Sequence, residues 1–128
     1  MKRILVVDDD DNIRELYVFL FEKTETYIVD SAKDGEEAYQ KIDEFKPDLI
    51  LLDVMMPKFD GLHVLKTVRQ SNPNVIVILN TAYSDVKKDF NSWTAHAIIE
   101  KTMLPSDVLE TVSRLFAEAE QTEAQPSV

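Results

Sequence analysis

Lys46-Pro47-Asp48-Leu49-Ile50-Leu51-Leu52-Asp53-Val54-Met55-Met56-Pro57 is the stretch whose reading decides the fold. The residue before a proline avoids the helical region, so Lys46-Pro47 ends whatever helix precedes it. Four consecutive aliphatic residues then run into a carboxylate. A run that is apolar at every position marks a strand covered on both faces, as in a parallel sheet. The same pattern stands earlier in Ile4-Leu5-Val6-Val7, which meets Asp8-Asp9-Asp10-Asp11, and later in Val75 to Leu79, which meets Asn80-Thr81.

Strands are therefore predicted at Arg3 to Val7, Asp48 to Leu52 and Val75 to Leu79 as the central three. The more mixed Tyr27 to Ser31 and the short Ala97 to Glu100 suit the edges. Helical periodicity fills the intervals. Ile13, Leu16, Tyr17 and Leu20 predict one buried face, with Asp10 or Asp11 as the cap. A second helix begins near Asp34-Gly35 and carries Ala38, Tyr39, Ile42 and Phe45. A third rests on Leu62, Leu65 and Val68 and ends at the turn Asn72-Pro73-Asn74. A weaker helical segment carries Val86, Phe90 and Trp93. The last helix opens near Pro105, a residue favoured at the first helical position, and buries Val108, Leu109, Val112, Leu115 and Phe116. Strands alternating with helices define an α/β fold, a doubly wound five-stranded parallel sheet.

With 128 residues the chain suits one hydrophobic core. Residues 1–118 are predicted as the domain. Residues 119–128, polar and acidic, are predicted as a frayed tail or the start of a linker, and are taken as a terminus. The charge of −10, from 14 basic and 24 acidic side chains, argues against a nucleic-acid partner, which would need clustered Lys and Arg. Without cysteine there is neither a disulfide framework nor a zinc-thiolate site, which fits a reducing cytoplasm. No apolar stretch approaches the roughly 20 residues that span a bilayer. The basic start Met1-Lys2-Arg3 leads to only a short apolar run before four aspartates, which excludes a signal peptide.

An open parallel sheet binds its ligands beyond the carboxyl ends of the strands, where the strand order reverses. In the order 2-1-3-4-5 that crevice lies between strands one and three. Those strands end in Asp8-Asp9 and Asp53, so three carboxylates meet at strand spacing, about 4.8 Å. They repel one another there unless a cation lies between them. Mg²⁺ suits carboxylate and carbonyl oxygens plus water, and an aspartate can act as nucleophile toward phosphorus. Thr81 and Lys101, at the ends of strands four and five, could hydrogen-bond or pair with phosphoryl oxygens. Taken alone, Asp8 to Asp11 would read as a solvated helix start, where acids suit the macrodipole. Asp60-Gly61 would read as a turn, and His63 and His96 as surface or flanking residues. What rises above these readings is the conjunction of five polar residues at strand ends.

At this point the chain resembles the receiver domains of bacterial two-component response regulators, and is similar to the single-domain chemotaxis and sporulation-relay members. The resemblance runs from Lys2 to about Phe116. It rests on Ile4 to Asp10, on Lys46 to Pro57 with Asp60-Gly61, on Thr81-Ala82-Tyr83 and on Lys101. It implies a flavodoxin-like (βα)5 fold of strand order 2-1-3-4-5. It further implies that Asp53 accepts a phosphoryl group from a phosphohistidine on a sensor histidine kinase or histidine phosphotransfer protein. Asp8, Asp9, Asp53 and the backbone carbonyl of Met55 would hold Mg²⁺, and Thr81 and Lys101 would contact the phosphoryl oxygens and relay its presence to a downstream protein target. Met55 and Tyr83 match positions that shape the approach of the hydrolytic water.

The chain departs from the family pattern in a cluster. Lys101 is followed by Thr102 where a cis proline is usual. The switch aromatic of the fifth strand corresponds to Ile98. Thr94 replaces a common glycine, and Asn80 brings an amide to a usually apolar place. The phosphorylation pocket is kept while the output face is altered. Val18 and Phe19, off the apolar stripe of the first helix, are candidates for docking a phosphodonor helix.

The leading expectation is thus a phosphoacceptor signalling module, cytoplasmic, not an enzyme beyond transfer to and hydrolysis from its own Asp53. The alternative is a pseudo-receiver that binds a partner independently of phosphate. A free-standing aspartate phosphatase is disfavoured because Asp53 is followed by Val54-Met55, with no second acid two residues on. Flavin binding would want a Gly- or Ser/Thr-rich loop after strand one, where four aspartates stand.

Overall fold

The computed structural model describes residues 1–54, 61–81, 96–100 and 103–124, with side chains for all of these but 81, 100 and 122–124. Five strands are present: β1 Lys2–Val7, β2 Tyr27–Ala32, β3 Leu49–Asp53, β4 Ile76–Thr81 and β5 Ala97–Glu100. They form one sheet of order β2-β1-β3-β4-β5 with every pair parallel. The strands of continuous apolar sequence are the central three, and the two mixed or short ones are the edges. Among the described residues the helices are α1 Asp11–Lys23, α2 Gly35–Phe45, α3 Gly61–Ser71 and α4 Pro105–Ala124. The segment of Val86, Phe90 and Trp93 lies outside the described residues.

Each central strand feeds two cores because its side chains alternate. Ile4 and Val6, Leu49 and Leu51, Ile76 and Ile78, with Ile99, pack with Tyr17 and Phe21 of α1 and Val108, Val112, Leu115 and Phe116 of α4. Leu5 and Val7, Ile50 and Leu52, Val77 and Leu79 pack with Ala38 of α2 and Val64, Leu65 and Val68 of α3. Fully burying one such aliphatic side chain contributes about 1.5–3 kcal/mol, so these layers hold the sheet.

Helix ends follow local chemistry. The Asp10 carboxylate accepts from the backbone N–H of Asn12 and Ile13, and that of Asp34 from Glu37. Lys46 closes α2 in the left-handed conformation at φ 54°. Arg69 donates to the carbonyls of Pro73, at 2.9 Å, and Val75, which ties the end of α3 to the turn before β4. His96, expected only to flank a strand, has a structural task. Its Nδ1 accepts the Val77 N–H at 3.1 Å while its own backbone N–H donates to the Val77 carbonyl, so the ring supplies an acceptor where β5 has not yet begun. His63 likewise joins α3 to α2, its Nδ1 lying 2.7 Å from the Tyr39 hydroxyl.

Two expectations are corrected. Leu16 is 56% exposed and Phe19 64%, whereas Val18 is partly buried against the α1–α4 core. The buried stripe of α1 is centred on Tyr17 and Phe21, whose rings stack at 6.5 Å. That rotates Leu16 outward, and its spacing from Ile13 and Leu20 could not reveal this. The chain beyond Ala119 does not fray at once: α4 continues to Ala124. Ala, Glu and Gln are strong helix formers, and Arg114 pairs with Glu118 one turn on at 3.2 Å.

Candidate functional site

At the carboxyl edge of β1 and β3, Asp8 and Asp53 are each 1% exposed while Asp9 is exposed. One carboxylate oxygen from each of the three lies within 4.8 Å of the others. Strand register brings this about, since Val7 pairs with Leu52 and the next residue of each strand is an aspartate.

The four successive aspartates divide into different tasks. Asp8 is anchored on three sides. Its N–H donates to the Ala32 carbonyl at 3.1 Å, its carbonyl accepts from Arg14 at 2.9 Å, and its Oδ1 accepts from the Asp10 N–H at 2.9 Å. Asp10 caps α1. Asp11, in the first turn, pairs with Arg14 at 2.5 Å. The run thus starts the helix through Asp10 and Asp11 and contributes Asp8 and Asp9 to the acidic cluster. Arg14 and Gly61 are the parts of the site's scaffold whose roles the sequence reading missed, whereas Asp10 caps the helix as expected. The spacing of Arg14 from Asp11, one helical turn, was a visible signal for that pair, but the reach of Arg14 to the Asp8 carbonyl needs the folded strand end.

Gly61 opens α3 against the end of β3, its N–H donating to the Val54 carbonyl at 3.2 Å. A Cβ there would stand 2.4 Å from the Asp53 carbonyl oxygen, so this position has no room for a side chain. Read from sequence as a simple turn, it is the seat that holds α3 under the strand bearing Asp53.

Asn80 is also 1% exposed, opposite Asp53 in register, and its Oδ1 has no hydrogen-bond partner. Leaving a buried amide oxygen unsatisfied costs about 1–3 kcal/mol. Thr81 closes β4 and pairs with Glu100. Met55, Tyr83, Thr94, Lys101 and Thr102 lie outside the described residues, as does the side chain of Thr81. Ile98 is half-buried and packs against the α2–α3 core.

Three oxygens of one charge this close, two of them on buried carboxylates, fit a small hard cation that takes oxygen ligands and keeps open positions for water and phosphoryl oxygens. A doubly wound sheet binds its ligands at its switch point, and here that point carries the acidic cluster.

The family follows from comparison with known sequences. The response regulator receiver domain profile matches residues 4–113, and the chain belongs to this family, the phosphoacceptor signalling modules of two-component systems. The transcriptional regulatory protein ResD of Bacillus subtilis is 37% identical over 122 residues, which cover 94% of this chain and 50% of that protein. The alkaline phosphatase synthesis regulator PhoP of the same species is 47% identical over 81 residues, 63% of this chain and 33% of that protein. The chain thus spans half or less of these two relatives. Among solved structures, the response regulator TrrA of Thermotoga maritima in complex with Mg²⁺-BeF is 41% identical at a TM-score of 0.81, covering 90% of this chain and 99% of that one. A CheY-like receiver domain protein of Methanospirillum hungatei is 30% identical at a TM-score of 0.87, covering 94% and 98%. Receivers of this family are phosphorylated by histidine kinases and bind Mg²⁺ at an acidic pocket. No helix among the described residues is long and apolar enough to cross a membrane.

Proposed function

We propose that Asp53 is the phosphoacceptor of this chain and that Asp8, Asp9 and Asp53, with the Met55 carbonyl, hold Mg²⁺. The observation that carries the proposal is the convergence of the three carboxylates within 4.8 Å, two of them buried. In the transfer, an Asp53 oxygen forms a bond to phosphorus, and the bond between phosphorus and the donor's imidazole nitrogen breaks, its electron pair staying on the imidazole. The bound cation supplies charge neutralisation for the phosphoryl oxygens. Asp8, held by Arg14 and the Asp10 N–H, keeps its carboxylate aimed at Asp53 without reorganising. Thr81 and Lys101 receive the phosphoryl oxygens. The donor is a phosphohistidine on a sensor kinase or phosphotransfer protein, and the exposed Leu16 and Phe19 of α1 offer it an apolar contact. The output route departs from the usual aromatic switch, since Ile98 is a half-buried aliphatic side chain packed against the core.

That last feature also supports a second reading, a pseudo-receiver that binds its partner independently of phosphate. One experiment separates the two. Protein incubated with Mg²⁺ and acetyl phosphate is expected to gain one phosphoryl mass, acid-stable and base-labile, that is lost in Asp53→Asn. No gain in the wild-type protein overturns the phosphoacceptor reading and favours the pseudo-receiver.

A further inference from the structure

Asn80 stands on a central strand between β3 and β5, at the end of the aliphatic run Ile76-Val77-Ile78-Leu79. Alternation puts it on the face of Ile76 and Ile78, just as it puts Asp53 on the face of Leu49 and Leu51, and those four residues share one core layer. Asp53 and Asn80 are register partners. Their backbones are one strand spacing apart, about 4.8 Å, within reach of two short polar side chains on one face. Asn80 is buried, and its Oδ1 has no partner. A carboxamide presents NH₂ or oxygen to a neighbour according to a half-turn of its last bond. Beside a carboxylate, which only accepts, the NH₂ end is the one that bonds.

We propose that Asn80 is a positioning residue for Asp53, its NH₂ donating to the Asp53 carboxylate, and that this hydrogen bond shortens the lifetime of phosphorylated Asp53. The inference rests on the phosphoacceptor reading above. In hydrolysis a water oxygen forms a bond to phosphorus, and the bond from phosphorus to the Asp53 oxygen breaks with its electron pair going to the carboxylate. Inorganic phosphate leaves and a water proton passes to solvent. Negative charge grows on the Asp53 oxygen as that bond breaks, so an N–H already aimed at it binds more strongly in the transition state than in the acyl phosphate. An apolar residue, which fills the place equally well for packing, lacks this effect.

The test compares Asn80→Val with Asn80→Thr, two β-branched side chains of like shape that suit a strand and differ in one hydroxyl. Removing a buried amide with an unsatisfied oxygen is not expected to impair folding, which melting curves check. Wild type and variants are charged with acetyl phosphate and Mg²⁺, the donor is removed, and loss of the phosphoryl mass is followed in time. The Val variant is expected to decay about three- to tenfold more slowly than wild type, and the Thr variant, with its donor restored, within about twofold of wild type. Equal lifetimes in the two variants overturn the proposal, whether both match wild type or both are prolonged, because an equal change reports packing. Faster decay in the Val variant overturns it as well. Decay is followed at saturating Mg²⁺, checked by calorimetry for each protein, so that a difference in metal affinity does not enter the compared lifetimes. A wild-type protein that gains no phosphoryl group, or one whose gain survives Asp53→Asn, instead refutes the phosphoacceptor reading itself.

Discussion

Replacing Gly61 by alanine places a methyl group between α3 and the phosphoacceptor strand. The new Cβ would lie 2.4 Å from the Asp53 carbonyl oxygen and 2.8 Å from the Val54 Cα. Both are backbone atoms, so no side chain can swing aside, and helix and strand must part by about 1 Å to regain van der Waals distance. Gly61 does not have a positive φ; the requirement is for volume, not for backbone freedom. Overpacking of this kind costs about 1–3 kcal/mol, here at the upper end because the contact is with backbone. The better helix propensity of alanine returns at most about 1 kcal/mol, leaving a net loss of about 2 kcal/mol. Unfolding entropy of about 2.1 cal/mol/K per residue gives about 0.27 kcal/mol/K for a chain of 128 residues. The melting temperature should therefore fall by about 7 °C. Because the collision is with the residue that bears the acceptor carboxylate, phosphoryl uptake from acetyl phosphate should slow by about tenfold or more. Circular dichroism melts and timed mass spectra measure the two effects. A melting temperature equal to or above that of the wild type would refute the reasoning.

Three further outcomes are expected. Burial first, and the Arg69 charge second, lower the pKa of His96. Stability contributed by its neutral, Val77-bonded ring is then complete above the ordinary histidine pKa of about 6.5 and is lost as pH falls through the lowered folded value. Urea titrations from pH 7.5 to 5 should show a wild-type loss that is smaller in His96→Gln; parallel curves would refute this. Asp34→Ala removes the cap that accepts the Glu37 N–H at 2.8 Å. It should cost about 1 kcal/mol, read as a lower urea midpoint with the slope preserved. Leu16→Ala with Phe19→Ala should leave the melting temperature nearly unchanged, since both side chains are more than half exposed, while slowing transfer from a phosphohistidine donor and not from acetyl phosphate. Equal slowing with both donors would show that α1 does not dock the donor.

The order of elements was legible because each central strand carries an unbroken run of four aliphatic residues, a pattern that suits a strand covered on both faces. Asp8, Asp9 and Asp53 were legible for a related reason: Asp8 and Asp53 each follow such a run directly and Asp9 stands next, so the strand ends that bury the runs also bring the acids together. α1 was less transparent. Ile13, Leu16, Tyr17 and Leu20 satisfy helical spacing, yet the rings of Tyr17 and Phe21 claim the space against the sheet and turn Leu16 to solvent. Periodicity gives the existence of an apolar face and leaves its centre to whichever large side chains find room. The task of His96 was hidden because it depends on an N–H of Val77, nineteen positions away along the chain.

The sequence by itself determined the alternation of strands and helices, the assignment of centre and edge, and the carboxylates at the switch point, because all of these depend on local pattern and on strand ends. Only the tertiary structure decided that Gly61 must lack a side chain, that Arg14 holds the Asp8 carbonyl, and that Asn80 faces the layer of Asp53. Each of these rests on a contact made where strand ends and helix starts meet in the fold, and there register and packing set distances that no local pattern encodes.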